Sequence, residues 1–187
     1  SDPELRARLQ RVHDSATRSA HLVNQLLTLA RAEPESVMAQ DRQHFDLQRL
    51  AQALTAEWVP RALKAQIDLG MDEHSTQPVW VHANALLIRE ALSNLIDNAI
   101  HHSAPGAHIT VRVGPTWVEV QDDGPGIAAE HQAHVFERFY RAAPSGVSGS
   151  GLGLAIVQEI ASQHGAVVSV RSPLRDGCGT TIRLCWT

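Results

Sequence analysis

The segment 83–101 constrains the fold of this chain more than any other, because its apolar residues recur at helical spacing and require a core. The apolar stripe consists of Ile88, Ala91, Leu92, Leu95, Ile96 and Ala99. Steps of three and four align a polar row on another face, made of Glu90, Asn94, Asn98, and His101 or His102. The segment is therefore predicted to be a helix with one face in a core and a polar edge.

Shorter patterns around this helix predict strands and helices that alternate along the chain. An extended piece begins at 45–47, strands are predicted at 65–69, 78–81, 109–113, 117–121, 167–171 and 180–185, and further helices at 47–58 and 152–164. Pro60 is expected to end the first of these helices, and Gly114-Pro115 to close a hairpin. Because hairpins accompany the interleaved helices, the pattern predicts an α+β fold and not a doubly wound parallel sheet.

Residues 3–32 carry a second periodic pattern, with apolar positions spaced alternately by four and three. Its members are Leu5, Leu9, Val12, Ala16, Ser19, Val23, Leu26 and Ala30. Such a seam is typical of a coiled coil or helical bundle, and we expect a second chain or further sequence to complete that bundle. Packing on its own domain is the simpler alternative. Pro34 is expected to stop the helix, and the polar residues 34–43 are predicted to be a linker.

Composition limits the partners that the chain can have. The 187 residues carry a formal net charge of −4, which argues against nucleic acid or an anionic membrane surface as the main partner. No run approaches the roughly eighteen apolar residues that span a bilayer, so the chain is expected to be soluble. Cys178 and Cys185 form no zinc motif, and the eleven histidines are scattered, so we expect no metal site built from these residue types.

Two polar motifs have side chains suited to a nucleotide. Asn94 and Asn98 lie one helical turn apart and can offer amide oxygens to a cation such as magnesium. Asp122 follows a strand and can accept a hydrogen bond from an amine such as that of adenine, while Gly124 and Gly126 allow tight turns. Taken singly, the two motifs are better explained as solvated asparagines and as an ordinary acidic turn.

Two further motifs could contact phosphate. The glycine-rich segment 149–154 runs directly into a predicted helix, where exposed backbone N–H groups favour phosphate oxygens, although it lacks the lysine of a P-loop. The aromatic segment 136–141 contains Arg138 and Arg141, which could reach a phosphate. A small hydrophobic cluster with solvated arginines is the alternative interpretation of this second segment.

Taken together, the four motifs resemble in order and spacing the N, G1, F and G2 boxes of sensor histidine kinases. The boxes are 94–99 (N box), 122–126 (G1 box), 136–141 (F box) and 149–154 (G2 box). The same ATP-binding superfamily contains gyrase, heat-shock chaperone and mismatch-repair ATPases. Residues 26–31 also resemble the end of the second dimerisation helix of sensor kinases, so the resemblance covers almost the whole chain.

The resemblance implies a two-layer α/β sandwich of the Bergerat type, in which a mixed sheet packs on helices and ATP lies under a mobile lid. It divides the chain into the second helix of a dimerisation domain at 1–33, a linker at 34–43 and a catalytic ATP-binding domain at 44–187. The lid falls at 142–148. The implied cofactors are ATP and Mg²⁺.

The site residues follow from the same resemblance. Asp122 is expected to bind the adenine amine, Gly124 and Gly126 to shape the pocket, and Asn94 and Asn98 to hold magnesium. The phosphates are expected to meet the backbone of the G2 box at Gly149, Ser150, Gly151, Leu152 and Gly153.

Three side chains are expected to act at the phosphate end. Arg138 and Arg141 are candidates for the terminal phosphate, and together with Asn94 they are the expected catalytic residues. His101 stands where the family commonly has lysine. Since neutral imidazole neutralises phosphate less well than ammonium, nucleotide affinity is expected to be modest or to rise as the pH falls.

The implied activity is transfer of the ATP γ-phosphate to a histidine of a dimerisation helix, for relay to an aspartate of a response regulator. The implied full-length protein is a homodimer, and this chain its cytoplasmic portion at a bacterial inner membrane. His13 imitates the phosphoacceptor motif but lies on the same helix as 26–31, so the accepting histidine is expected outside the chain.

Two alternatives remain open at this stage. An ATP hydrolase of the same superfamily would carry a glutamate base where this chain has Asn94. A non-catalytic nucleotide-binding or dimerisation module is the other, and the seam of the first helix is compatible with it.

Overall fold

The computed structural model describes Val23, Leu27 and residues 41–72, 78–142, 150–174 and 177–186. Within these residues the strands are β1 (Gln43–Asp46), β2 (Asp68–Asp72), β3 (Trp80–Ala83), β4 (His108–Gly114), β5 (Trp117–Asp122), β6 (Ala166–Arg171) and β7 (Thr180–Trp186). The helices are α1 (Leu47–Lys64), α2 (Ala85–His102), α3 (Ala129–Gln132) and α4 (Gly153–Gln163).

The strands form one large mixed sheet and one small sheet. The large sheet has the order β2-β4-β5-β7-β6, in which only the β2–β4 pair is parallel. The small sheet is the antiparallel pair of β1 and β3. Hairpins and a parallel pair therefore occur in one sheet, which confirms the predicted α+β fold.

The core lies between one face of the large sheet and helices α1, α2 and α4. The predicted stripe of α2 is buried, with Ile88, Leu92 and Leu95 at most 1% exposed. It packs on apolar residues of the central strands, such as Val111, Val118 and Leu184. At about 25 cal/mol per Å² of buried apolar surface, this contact is the main force that joins the two layers. The two-layer sandwich is thus confirmed.

Capping side chains set where two helices begin. Asp46 Oδ1 accepts hydrogen bonds from the backbone N–H groups of Gln48 (3.0 Å) and Arg49 (3.4 Å), so α1 begins at Leu47. Asn84 Oδ1 accepts in the same way from Leu86 (2.9 Å) and Leu87 at the start of α2. A polar cap satisfies N–H groups that have no partner within the helix. The capped residues therefore mark the change from strand to helix.

The prediction that the first helix ends before Pro60 is wrong, since α1 continues to Lys64. A proline inside a helix removes one backbone hydrogen bond and costs about 3 kcal/mol, which tertiary contacts beyond it must offset. Ala62 is fully buried, and Arg61 pairs with Asp97 of α2 at 2.6 Å. The longer helix also moves the next strand, which was predicted at 65–69 and begins at Asp68.

The other predicted elements are found within one or two residues of their expected bounds, and β3 spans Trp80–Ala83 where a strand was predicted at 78–81. The predicted helix at 3–32 lies outside the described residues except for Val23 and Leu27, which are both helical and exposed. That helix and the linker up to residue 40 remain predictions, and Gln43, assigned to the linker, is the first residue of β1.

No helix in the described part of the chain is long and apolar enough to cross a membrane.

An ion-pair network covers the face of the large sheet that points away from the helices. At its centre Glu119 is buried, and its Oε2 lies 2.8 Å from Nε and 2.6 Å from Nη2 of Arg183. Arg112 approaches the other oxygen at 3.6 Å, and the Arg183 guanidinium stacks over Trp117 at 4.1 Å. The arginines therefore stabilise the buried charge of Glu119, and Glu119 in turn neutralises the charge of Arg183.

We expect Glu119→Ala to lower the free energy of unfolding by about 3 kcal/mol, because it leaves the partly buried guanidinium of Arg183 without its carboxylate. Urea denaturation measures this change. Glu57→Ala is the matched control, since it breaks an exposed pair with Arg89 and should leave the midpoint nearly unchanged. Equal effects of the two substitutions would contradict the role assigned to burial.

Candidate functional site

The polar edge of α2 carries the predicted metal ligands. Asn94 is buried at 8% exposure, and its Nδ2 donates a hydrogen bond of 2.9 Å to the Glu90 carbonyl. This bond fixes the amide and turns Oδ1 away from the helix backbone. Asn98 is half-buried one turn later, and His101 is exposed near the end of the helix. The edge therefore places a fixed amide oxygen, a second asparagine and a histidine in one row.

Asp122 ends β5 in a partly buried position. Its Oδ1 accepts a hydrogen bond of 2.9 Å from the backbone N–H of Gly124. Burial raises the pKa of Asp122 from 3.8 to about 6, an effect that nearby Asp123 reinforces and that backbone N–H groups of Gly124 and Thr180 oppose. Among the described residues no cation pairs with this carboxylate, and a modest fall in pH is enough to protonate it.

The G1 box closes on the end of α2. A Cβ atom at Gly124 would lie 2.9 Å from Asp122 Oδ1 and 3.2 Å from the His102 carbonyl oxygen. Gly124 in turn accepts a hydrogen bond of 2.7 Å from the Gly179 N–H. Gly126 has a φ of +77°, a conformation that favours glycine. These contacts bring the end of the N-box helix, the G1 box and the start of β7 together.

The F box packs directly on the G2 box. The Phe139 N–H donates a hydrogen bond of 2.9 Å to the Gly151 carbonyl. Gly151 has a φ of +69°, and a Cβ atom there would lie 2.7 Å from the Phe139 carbonyl carbon. No larger residue fits without moving the backbone of the F box. Gly149 and residues 143–148 of the predicted lid lie outside the described residues.

The start of α4 has backbone donors that lack a side-chain cap among the described residues. Leu152 is 1% exposed and anchors the turn, while its N–H donates to Ser150 Oγ at 3.1 Å. No side chain among the described residues caps the first turn that begins at Gly153. Uncapped N–H groups and the positive end of the helix dipole form a suitable environment for phosphate oxygens.

The two arginines of the F box lie in different surroundings. Arg138 Nη2 is 3.9 Å from Glu159 Oε2, in the middle of α4. The pKa of His102 is lowered by burial, by the charge of His101 and by the charge of Arg141. The charge of Arg141 thus reaches the end of α2, whereas Arg138 lies along α4.

Sequence reasoning missed the residues that complete the G1 side of the site. Thr180 pairs directly with Asp122 in the β5–β7 register, and its backbone N–H donates to the carboxylate. Ser172 Oγ accepts from the Ile127 N–H at 2.6 Å and donates to the Gly179 carbonyl at 2.9 Å. The signal available was the Gly179-Thr180 start of the last strand, but its partner strand could not be assigned from the sequence.

We expect Asp122→Asn to raise the free energy of unfolding at pH 7.5 by about 2 kcal/mol. The folded pKa is raised, so the contribution of Asp122 is fully present below pH 3.8 and is lost as the pH rises through about 6. The asparagine avoids that loss, and its advantage should therefore vanish near pH 4. Urea denaturation at pH 7.5 and pH 4 measures the difference in the free energy of unfolding. Asp68→Asn is the control, because the Asp68 side chain is 77% exposed. An equal gain at both pH values would rule out the pKa shift as its cause.

Known proteins match this chain over the described domain and beyond it. Residues 83–187 match the family model described as histidine kinase-, DNA gyrase B-, and HSP90-like ATPase. The chain is 35% identical over 175 residues to the sensor protein QseC of Salmonella typhi. This match covers 94% of this chain and 38% of that protein. It is 36% identical over 189 residues to the sensor histidine kinase RppB of Synechocystis sp., and this match covers 97% of this chain and 41% of that protein. The chain thus spans about two fifths of the length of these curated relatives.

A solved structure agrees with the sequence matches. The cytoplasmic segment of histidine kinase QseC superposes with a TM-score of 0.64 at 26% identity, covering 91% of this chain and 93% of that one. The chain therefore belongs to the histidine kinase-, DNA gyrase B- and HSP90-like ATPase family, and it contains an ATP-binding catalytic domain of the kind found in sensor histidine kinases.

Proposed function

We propose that the whole protein is a sensor histidine kinase and that residues 44–187 bind ATP for transfer of its γ-phosphoryl group to a histidine imidazole. In that reaction the bond from phosphorus to the ADP oxygen breaks, a phosphorus–nitrogen bond forms and the imidazole loses a proton. The observation that carries the proposal is the convergence of the N, G1, F and G2 boxes at one edge of the sandwich. Three observations support it: the Gly124 backbone lies against the His102 carbonyl, the Phe139 N–H is hydrogen-bonded to the Gly151 carbonyl, and α2 packs on α4.

At the adenine end, ionised Asp122 would accept a hydrogen bond from the exocyclic amine. Gly124 and Gly126 allow the close turn that follows Asp122, because a Cβ atom at either position would lie within 3.2 Å of neighbouring protein atoms. The Thr180 N–H helps to hold the carboxylate in place. Because a protonated carboxyl is a poorer acceptor, adenine binding should weaken as the pH falls through about 6, the pKa of Asp122.

At the phosphate end, Asn94 and Asn98 would hold Mg²⁺, which when bound neutralises phosphate charge. The residues fit such an ion, because the hydrogen bond from Asn94 Nδ2 to Glu90 leaves an amide oxygen as the ligand atom. The backbone of Ser150, Gly151 and Gly153, with Gly149 outside the described residues, would contact the phosphates at the start of α4. Phosphoryl transfer requires mainly positioning and charge neutralisation, which these groups supply.

The family also suggests the partners of the whole protein. We propose a homodimer that passes its phosphoryl group to an aspartate of a response regulator, with this chain on the cytoplasmic side of a bacterial inner membrane. An ATP hydrolase is less well supported, because the position of its glutamate base is occupied by Asn94, whose amide is already bonded to the Glu90 carbonyl.

ATP binding tests the pocket directly. By calorimetry with and without Mg²⁺, we expect magnesium-dependent binding that weakens at least about tenfold in Asp122→Asn and in Asn98→Ala, since each loses a polar contact to the ligand. Arg89→Ala is a control on the same helix, because Arg89 pairs with Glu57 of α1. Absence of binding by the unaltered chain across pH 6–8 would favour a non-catalytic dimerisation module.

Phosphoryl transfer distinguishes the two arginines. With radiolabelled ATP and a separately supplied dimerisation domain of a relative as acceptor, we expect Arg141→Ala to reduce the rate about a hundredfold, because a charge on the terminal phosphate is lost. Arg138→Ala should reduce it much less, since Arg138 faces Glu159. The reverse order would show that the F box reorganises around the nucleotide.

A further inference from the structure

The F box contains a turn whose backbone is held in an unfavourable conformation. Phe139 has a φ of +65°, in the left-handed region that bulky residues rarely adopt. Its ring is 66% exposed, so burial of the side chain does not hold it there. Such a conformation persists only where surrounding contacts impose it. The hydrogen bond from Phe139 to Gly151 is one of these contacts, and the neighbouring tyrosine provides the others.

The side chain of Tyr140 is held by two histidines. Its hydroxyl oxygen lies 2.8 Å from His131 Nδ1, which is hydrogen-bonding distance. Its ring centre lies 5.4 Å from that of His134, whose Nδ1 is 2.7 Å from Glu137 Oε1. The tyrosine is therefore fixed at its tip by one histidine and along its ring by the other.

The helix that carries His131 is itself attached to the rest of the site. Gln132, the last residue of α3, donates from Nε2 to the Ile127 carbonyl at 2.9 Å and to the Ser172 carbonyl at 2.5 Å. Those carbonyls belong to the chain after the G1 box and to the end of β6. A continuous set of hydrogen bonds thus runs from the sheet through α3 to the tip of Tyr140.

We infer that His131 is a positioning residue for the phosphate end of the site. Through its bond to Tyr140, it holds the turn at Phe139 and so sets the position of Arg141, the residue that follows the tyrosine. The inference rests on the proposed function, because Arg141 matters only if a phosphate lies near it. In this role His131 acts through the tyrosine and is assigned no contact with the nucleotide.

The bond does not depend on one protonation state of His131. Neutral Nδ1 can accept the phenol proton, and a protonated Nδ1 can donate to the phenol oxygen. The carboxylate of Glu130, 3.9 Å from Nε2, is the acidic group near the other ring nitrogen. The test can therefore be made at one neutral pH.

The test compares ATP with ADP, because Arg141 is placed to act on the terminal phosphate that ADP lacks. His131→Leu and Tyr140→Phe each remove the bond, whereas His131→Asn keeps a polar atom near the position of Nδ1. By calorimetry in the presence of Mg²⁺, we expect both disrupting substitutions to lower ATP affinity about fivefold and to leave ADP affinity unchanged. His131→Asn should retain most of the ATP affinity.

The double variant and thermal unfolding separate positioning from damage to the fold. Because both substitutions break the same bond, His131→Leu with Tyr140→Phe should be no worse than either alone. Equal losses for ATP and ADP, additive effects, or failure of His131→Asn to restore binding would each overturn the inference. If the unaltered chain binds ATP, any of these outcomes contradicts the role of His131 but not the proposed function. If the unaltered chain does not bind ATP, both the role of His131 and the proposed function are contradicted.

Discussion

The burial of the apolar stripe of α2 is the contact on which the rest of the structure depends. With Ile88, Leu92 and Leu95 packed between the sheet and the neighbouring helices, the helix cannot rotate about its axis. Its polar edge must therefore face the start of α4 and the end of β5. The position of the candidate metal ligands is in this sense a result of hydrophobic packing, since Asn94 is held by the same helix turn that buries Leu95. The packing of the core alone is therefore enough to orient the polar edge of α2.

The two ends of the candidate site are built in different ways. The end at Asp122 is formed by strand termini and backbone hydrogen bonds, with Gly124, Gly179 and Thr180 close around one carboxylate. The end at Arg141 is formed by an exposed turn that short side-chain contacts hold in place. Hydrogen-bonded strands within a sheet seldom unfold locally, whereas exposed turns with few buried contacts do so readily. The adenine end is thus expected to be the rigid part of the site and the phosphate end the adaptable part.

The sequence predicted most of this arrangement, and the exceptions have physical reasons. Helical periodicity identified α2 and its two faces because burial imposes that spacing directly. The end of α1 was misplaced because the cost of Pro60 is offset by Ala62 and Arg61, whose partners are distant in the chain. Thr180 was missed for a related reason, since its role depends on a strand pairing that no local pattern encodes. The role of Gly151 was predicted as a phosphate contact, but its close packing on Phe139 depends on a tertiary approach that sequence cannot reveal.

The pairing of β5 with β7 has a consequence for the order in which the protein folds. Asp122 and Thr180 are direct partners, yet nearly a third of the chain separates them. Closing so long a loop costs conformational entropy before the paired strands return any stabilisation, so contacts of this kind form late. The Asp122 carboxylate gains its Thr180 contact only after β7 has paired with β5. The adenine end of the pocket is therefore expected to be completed after the helices and the local β4–β5 hairpin have formed.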